Sequence, residues 1–262
     1  MLAETPIVEC KAISRSFTSE AGGRHQVLRA VNLSITAGEF VVLIGPSGCG
    51  KSTLLNIVGG FDKPSSGVVL VSGYPVVSPG PDKAMVFQDY ALLPWLNTRE
   101  NVEIGLKLQG YDRRRRREEA ERVLALVGLE KAMERPVYKL SGGMQQRVSI
   151  ARALALQPKV LLMDEPFGAL DAFQRAIMHK ELTEIWQSTR TTIIFVTHSL
   201  EEALMLGTRV VAMSPGHPGL AGELVVDLPA QRDSMSQDFV ALKRRLLGMV
   251  SADRESATMF VE

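Results

Sequence analysis

The chain has 262 residues, a formal net charge of +1 and 45% hydrophobic residues, which suits one large domain or two closely joined subdomains. The near-zero charge argues against binding of nucleic acid through bulk electrostatics, and two cysteines are too few for a disulfide framework, so we expect a reducing compartment. We also expect no secretory signal and no membrane span, because the N-terminus lacks a basic and apolar leader and no apolar run reaches about 18 residues.

Along the chain, short β-branched and apolar runs predict the strands of an α/β protein. Several runs are apolar throughout, which is typical of strands covered on both faces. The predicted strands are Ile7–Ala12, Val31–Ile35, Phe40–Ile44, Val68–Val71, Ala84–Phe87, Val160–Met163, Thr192–Val196 and Arg209–Met213. Helices are predicted between some of them at Lys51–Gly59, Phe173–Ser188 and Leu200–Leu206. Ser199 and Glu202 form a capping box for the third. This alternation predicts an α/β sandwich around a mainly parallel sheet with an antiparallel β edge.

In the middle of the chain the β-branched runs stop and the pattern becomes helical. Helices are predicted at Asn97–Leu108, Arg113–Val127 and Gly142–Leu156, and Asn97 caps the first. We interpret this stretch as a helical subdomain inserted into the sheet domain. The predicted division is a first core part at 1–88, a helical subdomain at 89–157, a second core part at 158–230 and a helical extension at 231–262. Within that extension, the amphipathic piece Phe239–Val250 is expected to pack on the domain surface.

A run of five arginines, Arg113–Arg117, opens the second of these helices. Such a run can be a nucleic-acid patch, but Glu118, Glu119 and Glu121 follow on the same helix. Opposite charges three or four positions apart pair along a helix surface. We therefore interpret the run as a solvated helix face, with a nucleic-acid patch as the alternative.

The stretch after the predicted strand Phe40–Ile44 fits the phosphate-loop pattern G-x-x-x-x-G-K-[ST]. Its residues are Gly45, Pro46, Ser47, Gly48, Cys49, Gly50, Lys51, Ser52 and Thr53. Glycines let successive backbone N–H groups point at phosphate oxygens, and the helix that follows adds its positive N-terminus. We expect Lys51 to reach the β- and γ-phosphates and Ser52 to ligate Mg²⁺, in a P-loop NTPase core of the RecA-like type. The plain alternative is a glycine-rich turn before a helix.

Two carboxylates, Asp164 and Glu165, follow the apolar strand Val160–Met163. Functional groups collect at the carboxyl ends of parallel strands, so we expect Asp164 beside the phosphate loop, where it holds Mg²⁺ through the hydration shell of the ion. Glu165 can orient or deprotonate the attacking water. A helix-capping turn is the alternative, which the apolar residues before the pair and Pro166 after it disfavour.

A second glycine-rich entry to a helix, here called the second cradle, spans Leu140–Gln145. Ser141 is a good N-cap, and Gly142 and Gly143 let a phosphate approach backbone N–H groups, whereas an ordinary capped helix needs no consecutive glycines. One γ-phosphate does not need two cradles from one chain. A second copy, inverted by two-fold symmetry, can present its Ser141 across the nucleotide, so we expect ATP to hold a dimer together.

Two polar residues follow other predicted strands at the same edge. Gln88 comes after Ala84–Phe87, and His198 comes after Thr192–Val196. Gln88 can ligate Mg²⁺ or the attacking water, and it begins the helical insertion. His198 can hydrogen-bond to the γ-phosphate. Taken singly each is an ordinary loop residue, but together with the other motifs we expect both to be functional.

This ordered set of residues resembles an ATP-binding cassette (ABC) protein over roughly residues 5 to 230. The second cradle is then the signature motif of the family, and Ala169–Asp171 is its D-loop. The resemblance implies that Glu165, His198 and Gln88 are catalytic and that Gln145 and Asp171 belong to the nucleotide site.

Further site residues and partners follow from the same resemblance. It implies that Phe17 stacks on adenine, with a core phenylalanine as the alternative. It also implies that Ser52, Gln88 and Asp164 hold Mg²⁺. The expected assembly is a head-to-tail homodimer with two ATP molecules at the interface, docked on transmembrane permease subunits around Gln88 and the helical insertion.

Five shorter segments resemble the nitrate, sulfonate, taurine and bicarbonate branch of bacterial importers. They are Pro79–Asp82, Val86–Gln88, Leu92–Trp95, Asn101–Val102 and Glu165–Asp171. The resemblance implies a peripheral ATPase subunit on the cytoplasmic face of the bacterial inner membrane that energises uptake of a small oxyanion. Permease subunits and an extracytoplasmic solute-binding protein would select the solute. Trp95 is either a marker of this branch or a plain packing residue.

Two other classes of protein share part of these motifs. Soluble cassette ATPases that act on DNA or ribosomes usually carry a long coiled coil or two cassettes, whereas here about 110 residues without heptads separate Lys51 from Asp164. A small-molecule kinase shares the phosphate loop but does not explain the Ser141–Gly143 stretch. We keep the DNA or ribosome ATPase as the alternative, and we expect no nucleic-acid partner for the importer subunit.

Overall fold

The structure, a computed structural model, describes residues 5–18, 23–214, 219–229 and 231–251. The chain divides into two compact units: Met1–Pro79 with Thr192–Glu262 form the first, and Gly80–Thr191 form the second. The second unit contains the whole of the predicted insertion at 89–157 together with the strands and the helix that flank it. The predicted domain boundaries stay a prediction.

The described residues form ten strands and seven α-helices. The strands are β1 Val8–Thr18, β2 Arg24–Ile35, β3 Phe40–Ile44, β4 Ser66–Val71, β5 Tyr74–Pro75, β6 Lys83–Val86, β7 Val160–Asp164, β8 Thr192–Thr197, β9 Arg209–Met213 and β10 Leu220–Val225. The helices are α1 Lys51–Gly59, α2 Thr98–Leu108, α3 Arg113–Leu126, α4 Gly142–Leu154, α5 Ala172–Thr189, α6 Leu200–Leu206 and α7 Gln237–Ser251. None of these described helices is both long and apolar enough to span a membrane.

The first unit contains an antiparallel sheet in the order β2-β1-β4-β5 and four further strands in the order β10-β9-β3-β8. β3 is parallel to both β8 and β9, and β10 is antiparallel at the edge. Every residue of β3 and β8 is buried, as expected for strands covered on both faces. The predicted fold class, an α/β P-loop NTPase core with a mainly parallel sheet and an antiparallel β edge, is confirmed.

The last described helix, α7, packs against α6, β9 and β10 of the first unit. Phe239 and Leu246, seven positions apart on one side of α7, are fully buried. The Arg232 guanidinium donates to the carbonyl oxygen of Leu204 at 2.6 Å. The prediction that the amphipathic piece packs on the domain surface is therefore confirmed for the described part of the extension.

In the second unit, β6 and β7 are parallel neighbours, and α2, α3 and α4 contact one another. Asn97 caps α2 as predicted, and Glu100 completes a capping box with it. Gly110 and Gly128 follow α2 and α3 with positive φ angles, which ends both helices.

The arginine run on α3 is paired along the helix surface. Arg114 and Arg117 each form an ion pair with the glutamate four positions on, and Arg122 pairs with Glu119 three positions back. These pairs neutralise three of the six arginines between Arg113 and Arg122. They support the interpretation of a solvated helix face over that of a nucleic-acid patch.

Arg209, the first residue of β9, links the two sheets of the first unit. Its Nη2 donates to the Ser34 carbonyl of β2 at 2.6 Å and to the Glu39 carboxylate at 2.9 Å. Its Nη1 donates to the Glu223 carboxylate of β10 at 2.8 Å. Only 16% of the Arg209 side chain is exposed, so these charged hydrogen bonds are less screened by solvent than a surface pair.

Replacing Arg209 with Met removes these hydrogen bonds but keeps most of the aliphatic length. We expect the free energy of unfolding to fall by about 2–3 kcal/mol in urea denaturation, because Glu39 loses a partner and the sheets lose their link. The control is Arg114→Met, which removes an exposed, solvent-screened pair on α3 and should leave the free energy of unfolding unchanged. Equal losses for the two variants would contradict this role of Arg209.

Candidate functional site

The phosphate loop leaves the carboxyl end of β3 and leads into α1. Gly50, the N-cap of α1, has a φ of 101°, in the left-handed region that glycine adopts without strain. A Cβ at Gly50 would lie 2.8 Å from Leu28 Cδ2, so packing also requires glycine. The first turn of α1 has no acidic side chain, and Ser47, Gly48 and Ser52 are exposed. The positive end of the helix dipole is therefore suited to an anion.

Lys51 is the buried cation of this loop, with 5% of its surface exposed. Its Nζ donates to the carbonyl oxygens of Gly45 at 2.8 Å and Pro46 at 2.9 Å. These carbonyls satisfy the ammonium group inside the protein, where desolvation is costly. Because carbonyls are neutral, the loop keeps a positive charge that phosphate oxygens can neutralise.

The side chain of Cys49, also in the phosphate loop, is buried, with 2% of its surface exposed. Its Sγ lies 3.9 Å from Lys51 Nζ. Burial raises the pKa of the Cys49 thiol, and the Lys51 cation opposes that shift only in part. The thiol is therefore neutral at neutral pH. Any contact of Cys49 with a phosphate would come from its backbone, since its side chain packs under the loop.

His198 follows the carboxyl end of β8, at the same edge of the sheet where the phosphate loop follows β3. In the parallel register of β3 and β8, Ile44 pairs with Thr197. Gly45 and His198 are the next residues along the two strands, and His198 is exposed. The first unit thus brings the predicted γ-phosphate ligand and the phosphate loop to one edge, as the strand-end argument predicts.

Glu202 holds the chain on both sides of His198, through its carboxylate on one side and its backbone N–H on the other. The Thr197 hydroxyl donates to Glu202 Oε2 at 2.5 Å, and the Thr197 oxygen accepts the Ser199 N–H at 3.0 Å. Ser199 caps α6 as predicted by accepting the Glu202 N–H at 3.3 Å. The Ser199 half of the predicted capping box is confirmed. The prediction is corrected for Glu202, because its carboxylate accepts the Thr197 hydroxyl and so positions the segment that contains His198.

Phe17 lies on β1 with 42% of its surface exposed, which contradicts the alternative of a core phenylalanine. The Arg15 guanidinium lies over its ring, with Cζ 4.5 Å from the ring centroid. Arg15 Nη2 also pairs with Asp62 Oδ1 at 2.8 Å. The ring is therefore accessible to a planar ligand and is in contact with a fixed cation.

In the second unit, the parallel register of β6 and β7 brings Gln88 and Asp164 to one edge. Asp164 is the last residue of β7, and Gln88 is exposed two residues after β6. The Gly168 N–H donates to the Glu165 carbonyl at 3.1 Å, and Gln88 Nε2 lies 3.5 Å from where a Cβ on Gly168 would be. Gln88 therefore packs against the turn that begins at Glu165.

Glu165 has a φ of 42°, in the left-handed region that few residues other than glycine adopt. A non-glycine residue pays about 1–2 kcal/mol for this conformation. Such strain clusters at functional sites, where the surrounding structure holds it. The backbone of Glu165 thus adds a physical reason, independent of its carboxylate, to treat this residue as functional.

The second cradle opens α4. The Ser141 hydroxyl oxygen accepts a backbone N–H of the first turn at 3.4 Å, which confirms the predicted N-cap. A Cβ on Gly142 would lie 3.2 Å from Tyr90 Oη, and one on Gly143 would lie 2.8 Å from Gln174 Oε1. The two glycines therefore leave space for the loop after Gln88 and for the start of α5.

Arg152, near the other end of α4, forms hydrogen bonds to the loop after Gln88. It donates to the Ala91 carbonyl at 2.6 Å and the Tyr90 carbonyl at 3.0 Å. Tyr90 and Ala91 have φ angles of 54° and 49°, both in the left-handed region. Burial lowers the pKa of the guanidinium, which remains charged at neutral pH. Tyr90 at one end of α4 and Arg152 at the other therefore hold the loop against α4, which we call the signature helix.

Two predicted nucleotide contacts have local protein partners in the described structure. The Asp171 carboxylate caps α5 by accepting the Gln174 N–H at 2.8 Å. The Gln145 side chain donates to the Leu140 carbonyl at 3.1 Å. Both side chains thus stabilise their own loops, and their contact with nucleotide stays a prediction.

The donors predicted for Mg²⁺ are the Ser52 hydroxyl, the Gln88 amide and the Asp164 carboxylate. Mg²⁺ prefers oxygen ligands and is usually held by one or two carboxylates together with substrate phosphates and waters. Among the described residues, no three or more His, Cys, Asp or Glu side chains gather as a metal cage. The chemistry of the donor set fits Mg²⁺ that arrives with phosphate.

Three supporting residues were not predicted from the sequence: Arg15, Tyr90 and Arg152. Glu202 was predicted as part of a helix cap, but the bond of its carboxylate to Thr197 was not. Arg152 and Glu202 had a usable signal, because each is a charged residue within an apolar helical run and so needs a buried partner. Arg15 and Tyr90 had none, since their partners are remote in sequence or depend on the course of a loop.

Comparisons with known proteins identify the family to which this chain belongs. A sequence profile of the family described as ABC transporter matches residues 28–168. The taurine import ATP-binding protein TauB of Sinorhizobium fredii is 45% identical over 88% of this chain and 90% of its own length. The nitrate import ATP-binding protein NrtD of Synechococcus elongatus is 45% identical over 82% of this chain and 81% of its own.

Solved structures are similar as well. The dimeric structure of MJ0796, described as a bacterial ABC transporter cassette, is 33% identical, with a TM-score of 0.74 over 85% of this chain and 100% of that one. A structure of the same cassette in a post-hydrolysis state with ADP and Pi has a TM-score of 0.73. The chain belongs to the ABC transporter family. Its core is an ATP-binding cassette, and it is an ATPase.

The Arg152 contact can be tested without measuring activity. Replacing Arg152 with Met removes both hydrogen bonds to the loop carbonyls, so the amides of residues 88–93 should exchange with deuterium at least about tenfold faster. Mass spectrometry of the full chain without nucleotide measures this rate. The control is Arg117→Met, which removes an exposed pair on α3 and should leave the loop unchanged. Unchanged exchange in Arg152→Met would show that the loop does not depend on this contact.

Proposed function

We propose that this chain is the ATP-hydrolysing subunit of an importer for a small oxyanion of the sulfonate, taurine or nitrate class. The observation that carries the proposal is 45% identity to import ATP-binding proteins for taurine and for nitrate, over more than four-fifths of both chains in each case. Partner permease subunits and an extracytoplasmic solute-binding protein would select the solute.

In this proposal the first unit binds the triphosphate. Lys51 exchanges its carbonyl contacts for oxygens of the β- and γ-phosphates, and the N-terminus of α1 faces the same anion. His198 hydrogen-bonds to the γ-phosphate from the neighbouring strand end. Phe17 stacks on adenine. The burial of Lys51 and the exposure of His198 and Phe17 support these roles.

The second unit supplies the hydrolytic chemistry. Glu165 accepts a proton as the oxygen of the attacking water bonds to the γ-phosphorus and the bond to the bridging oxygen breaks, which yields ADP and phosphate. Gln88 packs against the Glu165 turn, so it can position the water. Mg²⁺, with Ser52, Gln88 and Asp164 as its protein donors, would neutralise charge on the phosphates.

A second copy of the chain completes each site. Ser141 is exposed and uses its oxygen as a cap acceptor, so its hydroxyl hydrogen can point to a phosphate of a nucleotide bound to the other copy. The N–H groups of Gly142 and Gly143 add further donors. The dimeric form of the structurally similar MJ0796 cassette supports a homodimer, and we propose that ATP lies at its interface.

The loop after Gln88 is proposed to meet the permease. Trp95 and Tyr138 are exposed to 75% and 67%, apolar surface that a partner would cover. Arg152 fastens the same loop to the signature helix, so a shift at the permease would reach the second cradle. The protein would then work as a peripheral subunit on the cytoplasmic face of the inner membrane. The paired arginines of α3 argue against a nucleic-acid partner.

Glu165→Gln keeps the volume of the side chain but removes the proton acceptor. We expect ATP binding to remain and phosphate release to fall at least about 100-fold, so that an ATP-trapped dimer accumulates in light scattering. Glu118→Gln, an exposed change on α3, is the control and should hydrolyse at the wild-type rate. Wild-type hydrolysis by Glu165→Gln would remove Glu165 from its proposed role.

Ser141→Arg places a long cation at the mouth of the second cradle. We expect ATP to bind to the monomer within about twofold of wild type, while ATP-induced dimers disappear in the Glu165→Gln background. Ser141→Asn, which preserves the helix cap, controls for loss of α4 stability. The shared-site proposal is wrong if Ser141→Arg still forms dimers on addition of ATP.

A further inference from the structure

Three side chains of the first unit form a layered contact at the ring proposed to receive adenine. Arg15 Cζ lies 4.5 Å from the centroid of the Phe17 ring, within the range of a cation–π interaction. Asp62 Oδ1, in the segment that follows α1, lies 2.8 Å from Arg15 Nη2. The Arg15 and Asp62 side chains are only 24% and 28% exposed, so the guanidinium is fixed between a carboxylate and the ring.

The register of β1 and β2 places this contact within reach of the phosphate loop. Arg15 pairs with Leu28, and Leu28 Cδ2 lies against Gly50 of the loop. Phe17 is two residues further along β1, a distance of about 7 Å at 3.3–3.4 Å per residue. A ribose and an α-phosphate span a comparable distance. A base can therefore lie on Phe17 while its phosphates occupy the loop.

We propose that Arg15 is a positioning residue for the nucleobase, acting through the Phe17 ring. The inference rests on the proposed function, since it requires ATP in the phosphate loop. The guanidinium holds the ring in one orientation and draws electron density toward itself. An electron-poor ring stacks more favourably on an electron-rich purine, so Arg15 strengthens the contact with adenine without touching the phosphates.

A purely structural role for Arg15 makes different predictions. The ion pair with Asp62 ties β1 to the segment after α1, and its loss would disturb the whole binding region. Asp62→Asn and Arg15→Met would then have similar effects, and a base-free polyphosphate would lose as much affinity as ATP. A positioning role predicts a loss for ATP alone, and Asp62→Asn, which keeps the cation over the ring, should bind ATP within about twofold of wild type.

The test compares ATP with inorganic tripolyphosphate by calorimetry on the full chain. Arg15→Met should weaken ATP binding about fivefold and leave tripolyphosphate within about twofold, whereas Arg15→Lys should recover most of the ATP affinity. Phe17→Leu should weaken ATP about tenfold. Adding Arg15→Met to Phe17→Leu should change ATP affinity by less than about twofold, because the ring through which Arg15 acts is gone.

Three results would each overturn the proposal: wild-type ATP affinity in Arg15→Met, an equal loss for tripolyphosphate, or a full additional loss in the double variant. Lys51→Ala separates this inference from the proposed function. If Lys51→Ala leaves the affinity for both ligands unchanged, the phosphate-loop assignment fails. If it weakens both while Arg15→Met weakens neither, only the role of Arg15 fails.

Discussion

The parallel register of neighbouring strands determines which residues follow those strands side by side at the edge of the sheet. In each unit it therefore decides where the candidate catalytic side chains lie. Ile44 lies opposite Thr197, so the phosphate loop and His198 begin side by side, and the pairing of β6 with β7 does the same for Gln88 and Asp164. A slip by one residue would turn every side chain of a strand to the other face. The apolar packing of the fully buried strands β3 and β8 opposes such a slip and helps to keep the polar edge of the first unit aligned.

The second unit depends on the signature helix in a comparable way. Tyr90 meets α4 at its first turn and Arg152 grips the same loop near its last, while Gln174 of α5 packs against Gly143. Segments remote in sequence thus converge on one rigid element. Because a helix moves as a body, the displacement of the loop after Gln88 that we propose would reach the exposed Ser141 cap through α4.

Local patterns in the sequence were sufficient for much of the fold and for the motif residues. β3 has its predicted bounds because its five apolar residues lie between a charged residue and the glycine of the phosphate loop. β10 was not predicted, since it is a short edge strand of mixed polarity that contains Gly222. Arg152 bonds to Ala91 and Tyr90, which lie 61 and 62 positions earlier in the chain. No local periodicity in the sequence indicates such a pairing.

The left-handed backbone at Glu165 has a consequence for how this protein responds to selection. Glycine or asparagine relaxes that conformation, so either replacement favours the folded state while it deletes the carboxylate. Screens for heat resistance alone would enrich such variants, which lack the proposed proton acceptor. In the proposed role of Glu165, selection for activity would keep the strained glutamate at the cost of a lower melting temperature.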